Sequence, residues 1–392
     1  MSMNIKGIVV GCFASCFLLA HGAIAGQLIA LPPQPADLAW PTQNWETGNV
    51  PTDSRMALDE LLDDAMAREL GEVMGEARAI VIIHHGKLVV ERYRAGFDQN
   101  TKQISWSMAK SFTSALVGRA VQIGWITDIN AAMPGPWPID DPRAKISWRQ
   151  WLNMTDGLQY AEIGEPNVVK NDVVQMMFGR GRFDAVAYAS QLALAHTPGT
   201  NWNYSSAGFH LIAHGLQMVI AEQMNKENID PADMVAFAKE NLFAPIGMDA
   251  QIEFDPAGTF LGGSLVWSTA RDFARFGYLY LRDGQWEDQQ LLPEGWVDFS
   301  RTKSPADNVT VYGAGWWINA ANADDIRPKG QGSAIGPRDA FSAQGHEGQI
   351  IWIVPSRDLV IVRLGLMDDS ANSWPALYDW AQKVAETFAE ID

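Results

Sequence analysis

The sequence predicts an α+β fold in which strands from both ends of the chain form one antiparallel sheet flanked by helices, with a mostly helical subdomain inserted. Three observations predict it. Two short apolar runs joined by a turn lie at residues 79–93, and two more lie at 350–364. Between them, from about 107 to 260, the pattern is mostly helical and loop-like. With 392 residues, 47% hydrophobic content and no evident repeat, we expect a single large domain over residues 56–392.

The first 25 residues have the layout of a secretory signal peptide. An apolar stretch over 8–20 is followed by Ala23-Ile24-Ala25, a small-x-small cleavage site. We predict cleavage after Ala25, a periplasmic or secreted location and no stable membrane insertion afterwards. An uncleaved anchor stays open, as does a lipid anchor at the run Val9-Val10-Gly11-Cys12. The second cysteine, Cys16, also lies here, so the mature protein would contain no disulfide.

The remaining elements follow from composition and periodicity. Residues 26–55 are rich in proline and polar residues and predict an extended lead-in. An amphipathic helix is expected from about Met56, then a hairpin at 79–93 with its turn at His84-His85-Gly86. The C-terminal strands are joined by Pro355-Ser356-Arg357-Asp358, and a last helix is expected from about Trp374 to Ile391.

The charge balance is strongly acidic. Lys and Arg total 29 against 46 Asp and Glu, a formal net charge of −17. Because phosphate backbones and anionic membrane surfaces attract basic proteins, this charge disfavours both as partners.

No metal or organic cofactor is predicted, and the oligomeric state is left open. His210 and His214 share an i, i+4 spacing, but no Glu follows His210 as a zinc-protease motif requires, so packing is preferred.

A candidate nucleophile and base lie together at Ser107-Met108-Ala109-Lys110, just before the apolar segment Phe112–Val117. If a helix begins near Ser107, its three-residue spacing places the Lys110 amine beside the Ser107 hydroxyl. A serine hydroxyl needs such a proton acceptor to become a good nucleophile. A second Ser-x-x-Lys, Ser300–Lys303, is interpreted as the polar, exposed end of a short helix. The chain has no Gly-x-Ser-x-Gly, which disfavours an α/β-hydrolase.

Other segments resemble the serine β-lactamase and penicillin-binding-protein superfamily. Tyr204-Ser205-Ser206 is similar to its Tyr-x-Asn motif, and His346-Glu347-Gly348, before an apolar strand, is similar to its Lys-Thr-Gly motif. Stretches such as 152–158 and 268–277 also resemble its esterase and amide-hydrolase branch, which includes the 6-aminohexanoate-dimer hydrolases. The resemblance covers roughly residues 75–390 and implies a β-lactamase-like fold.

The resemblance also implies roles for individual residues. Ser107 would form an acyl-enzyme, with Lys110 and Tyr204 moving its proton. The backbone N–H groups of Ser107 and Gln349 would form the oxyanion hole, and a side chain at Gly348 would crowd the substrate. The remaining motif residues would contact the substrate; they are Ser206, His346, Glu347 and Gly348.

The departures from the family motifs bear on the substrate. Ser206 replaces an amide that contacts β-lactams, and His346 replaces a lysine that holds their carboxylate. We therefore expect a small ester or amide as the substrate. A β-lactamase or a D-amino-acid carboxypeptidase stays open, as does a non-catalytic periplasmic binding protein on the same fold. In the loop beside the expected cleft, Asp156, Glu162 and Glu165 are interpreted as solvated charges or as contacts for a substrate amine.

Overall fold

The computed structural model describes residues 28–162, 167–228, 230–306, 311–319, 337–368 and 372–391. The predicted signal peptide and Glu165 lie outside these residues. The helices, labelled in chain order, are α1 (Arg55–Ala67), α2 (Ala109–Gln122), α3 (Trp148–Leu152), α4 (Asp172–Met177), α5 (Ala185–Ser190), α6 (Ser206–Gln223), α7 (Pro231–Ala238), α8 (Ala270–Leu281), α9 (Trp296–Ser300) and α10 (Ser373–Glu386). The strands are β1 (Glu76–His84), β2 (Lys87–Tyr93), β3 (Gln103–Ile104), β4 (Gln251–Ile252), β5 (Val266–Ser268), β6 (Gln285–Trp286), β7 (Gln289–Gln290), β8 (Trp317–Ile318), β9 (Phe341–Gly345), β10 (Gln349–Val354) and β11 (Leu359–Leu366).

The main sheet joins the two ends of the chain, as predicted. Within the described ranges its strand order is β2-β1-β11-β10-β9-β8, and neighbouring strands are antiparallel. In the central pair, Val81 of β1 lies opposite Val362 of β11. The hairpin of β1 and β2 and the strands β10 and β11 agree with the predicted apolar runs, whereas β8 and β9 were not predicted.

Both faces of this sheet are covered, which explains why its strands β1, β10 and β11 are mostly apolar. Val81 and Ile83 point into the core that contains α8, whereas Ile80 and Ile82 point into the core that contains α1 and α10. A strand with one solvated face would alternate apolar and polar residues instead. Burial on both sides makes the sheet a rigid base for the segments that lie against β9.

The inserted region places one helix in the centre of the molecule. All residues of α2 from Ala109 to Ala120 are buried, including Lys110, Ser111 and Arg119. A helix that is buried all round belongs to the interior of a large domain. Helix α2 packs against α6, so the segments that begin these two helices are firmly held.

A small sheet of β3, β5 and β4 was not predicted, because its strands are only two or three residues long. It ties the chain before α2 to the chain before α8: the Ser105 N–H donates to the Val266 carbonyl at 2.8 Å. The predicted lead-in also packs on the domain, since the Arg275 guanidinium donates to the Pro41 carbonyl and Trp45 is buried. Among the described helices, none is both long and apolar enough to cross a bilayer.

Candidate active site

Ser107 lies on a tight 3₁₀ turn, Trp106–Met108, that leads directly into α2. The predicted helix start is therefore right to within two residues. Trp106 has a φ of 44°, in the left-handed region that bulky residues rarely adopt. Two hydrogen bonds hold the turn in place, because Ser105 both donates to the Val266 carbonyl and accepts from the Val266 N–H. Backbone strain of this kind is concentrated at active sites.

The Lys110 amine lies beside Ser107, as the spacing predicted. Its Nζ is 3.0 Å from Ser107 Oγ, 2.8 Å from Ser206 Oγ and 2.7 Å from the Gly263 carbonyl oxygen. The side chain is buried, with the residue 1% exposed. Burial lowers the pKa of Lys110 from 10.5 to about 8, and the negative charge of Glu162 opposes this only in part. About a tenth of the amine is then neutral at pH 7, enough to serve as a base.

Tyr204 faces the same amine from the second motif. The Lys110 Nζ lies 4.7 Å from the centre of the Tyr204 ring, and Trp317 stacks on that ring at 5.1 Å. Burial and then Glu162 raise the pKa of Tyr204 above its ordinary value, against a hydrogen bond with Ser107 that lowers it. Because the two pKa values move in opposite directions, Lys110 is the better proton acceptor and Tyr204 remains a protonated phenol.

Ser206 and Glu162 complete the polar cluster around Lys110. Ser205 caps α6 by accepting from the Gly208 N–H, which places Ser206 at the first turn of the helix. Ser206 Oγ lies 2.6 Å from Glu162 Oε1, and the Ser206 N–H donates to Glu162 Oε2 at 2.8 Å. The carboxylate is thus bound twice by Ser206. Glu162 is therefore not a freely solvated charge, and both of its carboxylate oxygens already accept hydrogen bonds instead of being left for a substrate amine.

The end of β9, just before the His346-Glu347-Gly348 motif, reaches the turn that carries Ser107. A Cβ on Gly345 would lie 2.1 Å from the Ser105 carbonyl oxygen, so only glycine allows this approach. The exposed His346 ring packs edge-on against Trp106 at 5.4 Å. The Trp106 indole also donates to the Glu347 carboxylate at 2.9 Å. These contacts bring the Gly345–His346 peptide next to the turn that carries Ser107.

The structure does not support Gln349 as an oxyanion donor. Gln349 begins β10, an interior strand flanked by β9 and β11, and its residue is 1% exposed. Its side chain is directed at β11, donating to the Gly365 carbonyl and accepting from the Gly365 N–H. In-plane N–H groups of an interior strand point at neighbouring strands, not at a cleft.

The expected role of Gly348 is also wrong. Its φ is 79°, and a Cβ there would lie 2.6 Å from the Arg363 guanidinium and 3.2 Å from the Met367 sulfur. Both neighbours are buried, so a side chain would disturb the core rather than crowd the substrate. The Arg363 guanidinium donates to the carbonyls of Glu347 and Gly348, which stabilises the turn His346–Gly348.

Three other candidates are structural. Ser300 is buried, contrary to the expectation of an exposed helix end, and its hydroxyl donates to the Trp296 carbonyl at 2.9 Å. His210 is buried beside the site, and its Nδ1 accepts from the Gly263 N–H, so the ring is the Nε2–H tautomer. Burial lowers the pKa of His210 to about 3, so it stays neutral. Burial also lowers the pKa of the half-buried His214.

Known proteins resemble this chain in sequence and in fold. A family model described as Beta-lactamase matches residues 63–366. A curated relative, the 6-aminohexanoate-dimer hydrolase of Paenarthrobacter ureafaciens, is 24% identical over 306 residues, covering 76% of this chain and 72% of the relative.

Two solved structures share the fold. The first is a Bacillus anthracis protein provisionally assigned as a 6-aminohexanoate-dimer hydrolase, with a TM-score of 0.62 and 20% identity, covering 92% of this chain and 90% of that one. The second is a penicillin-binding-protein homologue of Caulobacter crescentus, with a TM-score of 0.61 and 15% identity over 87% of this chain and 99% of that one. At these identities the two structures establish the fold, which is the β-lactamase-like α+β fold that the sequence predicts.

Proposed function

Since the chain belongs to the beta-lactamase family, we propose that it is a serine hydrolase that cleaves small ester or amide bonds through an acyl-enzyme on Ser107. One observation carries the proposal: a buried lysine whose pKa is lowered to about 8 lies 3.0 Å from the hydroxyl of Ser107. A nucleophile with an adjacent base whose pKa lies near the working pH is what acyl transfer requires.

In the acylation step, Ser107 Oγ attacks the substrate carbonyl carbon while its proton moves to the Lys110 amine. The carbonyl π electrons move to oxygen, and the tetrahedral intermediate collapses by expelling an alcohol or amine. Tyr204, a protonated phenol beside the same serine, is placed to give the leaving group its proton. Lys110 then passes the proton that it took from Ser107 to the Tyr204 phenolate, which leaves the amine neutral again. In deacylation, water attacks the carbonyl carbon of the ester on Ser107 while Lys110 takes a proton from that water. Lys110 returns this proton to Ser107 Oγ as the bond between Ser107 Oγ and the acyl carbon breaks.

Two backbone N–H groups would bind the developing oxyanion. One belongs to Ser107 at the N-terminal turn of α2, where the helix dipole favours negative charge. We assign the second to His346, because its peptide with Gly345 is the part of β9 that lies against the Ser105 carbonyl. This donor replaces Gln349, which belongs to the interior strand β10.

The charges around the site favour neutral substrates over anionic lactams. The carboxylate of Glu162 accepts from Ser206 in the polar cluster around Lys110. The carboxylate of Glu347 accepts from the indole of Trp106, the residue before Ser107. The Ser206 hydroxyl gives its single hydrogen to Glu162, so it has no hydrogen left to donate to the amide carbonyl of a lactam side chain. The curated relative's name points the same way, toward a small linear amide.

The test is hydrolysis of p-nitrophenyl acetate, 6-aminohexanoate dimer and nitrocefin by the wild type, Ser107→Ala and Ser300→Ala. Ser300→Ala is the matched control, because it removes the serine of the second Ser-x-x-Lys. We expect ester or dimer turnover that Ser107→Ala abolishes and Ser300→Ala keeps. Nitrocefin as the best substrate would indicate a β-lactamase, and a D-alanyl-D-alanine peptide would then test for a carboxypeptidase. No turnover of any of these substrates would favour a non-catalytic binding protein.

The predicted signal peptide supports a location outside the cytoplasm. We propose that the enzyme acts in the periplasm or is secreted after cleavage behind Ala25. N-terminal sequencing of the protein recovered from periplasm and medium tests this proposal. A mature chain that begins at Gly26 is expected, and an intact N-terminus retained in the cytoplasm would contradict it.

A further inference from the structure

The Ser206 hydroxyl lies between the Lys110 amine and the Glu162 carboxylate. Ser206 Oγ is 2.8 Å from Lys110 Nζ and 2.6 Å from Glu162 Oε1. We propose that Glu162 is a positioning residue that, through the Ser206 hydroxyl, directs the lone pair of neutral Lys110 at Ser107. The inference rests on the proposed function, since it concerns how the base of that reaction is oriented.

The argument begins with the hydrogens of the base. A neutral lysine amine has two N–H donors and one lone pair, and Lys110 Nζ has three polar neighbours. The Gly263 carbonyl oxygen can only accept, so it takes one N–H. This carbonyl is well fixed, because the N–H of Gly263 donates to His210 Nδ1 at 3.2 Å and a Cβ on Gly263 would lie 2.7 Å from the Ser206 carbonyl oxygen.

Glu162 determines which group accepts the second N–H of Lys110. An ionised carboxylate only accepts, so the short contact between Ser206 Oγ and Glu162 Oε1 uses the single hydrogen of the Ser206 hydroxyl. The other carboxylate oxygen accepts from the Ser206 N–H at 2.8 Å, which prevents the carboxylate from rotating away. Ser206 Oγ can then only accept from Lys110. Both N–H groups of Lys110 are thereby occupied, and its lone pair is left for the Ser107 hydroxyl at 3.0 Å.

Without the Glu162 carboxylate, the lone pair of Lys110 is no longer directed at Ser107. The Ser206 hydroxyl could donate to Lys110 instead, which would occupy the lone pair and leave an N–H pointing at Ser107. In that arrangement Lys110 cannot accept the proton of Ser107. Glu162 therefore selects one of two hydrogen-bond arrangements that the distances alone would allow.

A purely electrostatic role predicts the opposite effect, and this makes the inference testable. The negative charge of Glu162 raises the pKa of Lys110, so neutralising it should increase the neutral fraction of the base. The other groups whose charges couple to Glu162 are Tyr160, Tyr204 and Tyr312, and the carboxylate raises the pKa of each. Loss of its charge would thus favour the phenolate as well as the free amine. If charge alone mattered, Glu162→Gln would be more active near neutral pH.

The experiment measures kcat/KM for p-nitrophenyl acetate from pH 6 to pH 9 and the rate at which a fluorophosphonate labels Ser107. The variants are Glu162→Gln, Ser206→Ala and the double variant. Glu162→Gln keeps the shape but brings an amide N–H to Ser206. Glu222→Gln is the matched control, since it makes the same change at an exposed position on α6. Circular dichroism and urea unfolding establish that each variant folds.

We expect Glu162→Gln to lower kcat/KM about tenfold or more, also on the alkaline plateau where the amine is already neutral. In the Ser206→Ala background the same change should cost less than about twofold, because coupled residues are not additive. Ser206→Ala alone should also slow acylation, which keeps the inference testable if Glu162→Gln does not fold.

Equal or higher activity of Glu162→Gln, or the same loss in both backgrounds, would overturn the positioning role while leaving the serine hydrolase intact. A wild type that neither turns over the ester nor labels at Ser107 would instead remove the proposed function, and this inference with it.

Discussion

The buried Lys110 should make the stability of the protein depend on pH in a way that requires no substrate. Its pKa is about 8 in the folded protein and 10.5 when the amine is exposed by unfolding. Between these values the unfolded chain binds one proton more than the folded chain, so the free energy of unfolding rises with pH. Integrated from pH 7 to pH 10, this single group contributes an increase of about 2.5 kcal/mol.

The assay compares wild type with Lys110→Met by urea unfolding at intervals between pH 7 and pH 10. Other titrating groups are common to both proteins, so the difference between the two free energies isolates Lys110. We expect wild type to gain about 2.5 kcal/mol relative to the variant over this interval. Lys239→Met, which removes a lysine from the surface, is the control for the loss of one amine. A difference that stays flat over the interval, or that falls with pH, would refute the lowered pKa.

Three further predictions follow from the same geometry. The acylation rate should fall about tenfold per pH unit below pH 8 and level off above about pH 8, because the active form of Lys110 is the neutral amine. A pH profile of kcat/KM measures this, and a profile that is flat from pH 6 to 9 would contradict it. Gly348→Ala should lower the free energy of unfolding by about 1–3 kcal/mol, because its Cβ would meet Arg363. The control is Gly71→Ala, which shares the positive φ but has no atom within 4 Å of the added Cβ. Equal losses for the two variants in urea unfolding would argue against the contact with Arg363. Gly345→Ala should slow labelling of the nucleophile about a hundredfold, the scale of a lost oxyanion donor, and wild-type labelling would show that β9 does not position that donor.

Much of the fold could be predicted from local patterns. Apolar runs separated by turn residues predicted the strands that form β1, β2, β10 and β11, and three-residue spacing predicted the pair of Ser107 and Lys110. These features are local, because a strand's period or a helix turn is decided by residues close together in the chain. The small sheet of β3, β4 and β5 was missed, since strands of two or three residues carry no detectable period.

The parts of the site that were missed depend on contacts between distant segments. Glu162 binds Ser206 across 44 residues, and no spacing rule relates a loop charge to a helix N-terminus. The segment 344–349, which includes the His346-Glu347-Gly348 motif, contains two glycines, Gly345 and Gly348, each followed by a polar residue. Sequence alone does not show which glycine meets the Ser105 carbonyl and which lies over Arg363. Sequence alone therefore could not show that Gln349 begins an interior strand.

The central claim is that Ser107 is the nucleophile, and the most direct measurement is covalent labelling. The mature protein would be treated with a fluorophosphonate at pH 8, digested, and analysed by peptide mass spectrometry. We expect a single adduct on Ser107, formed faster than at pH 6 and absent from Lys110→Met. An adduct on Ser206 or Ser300 in place of Ser107, or no adduct on a folded protein that turns over substrate, would contradict the account.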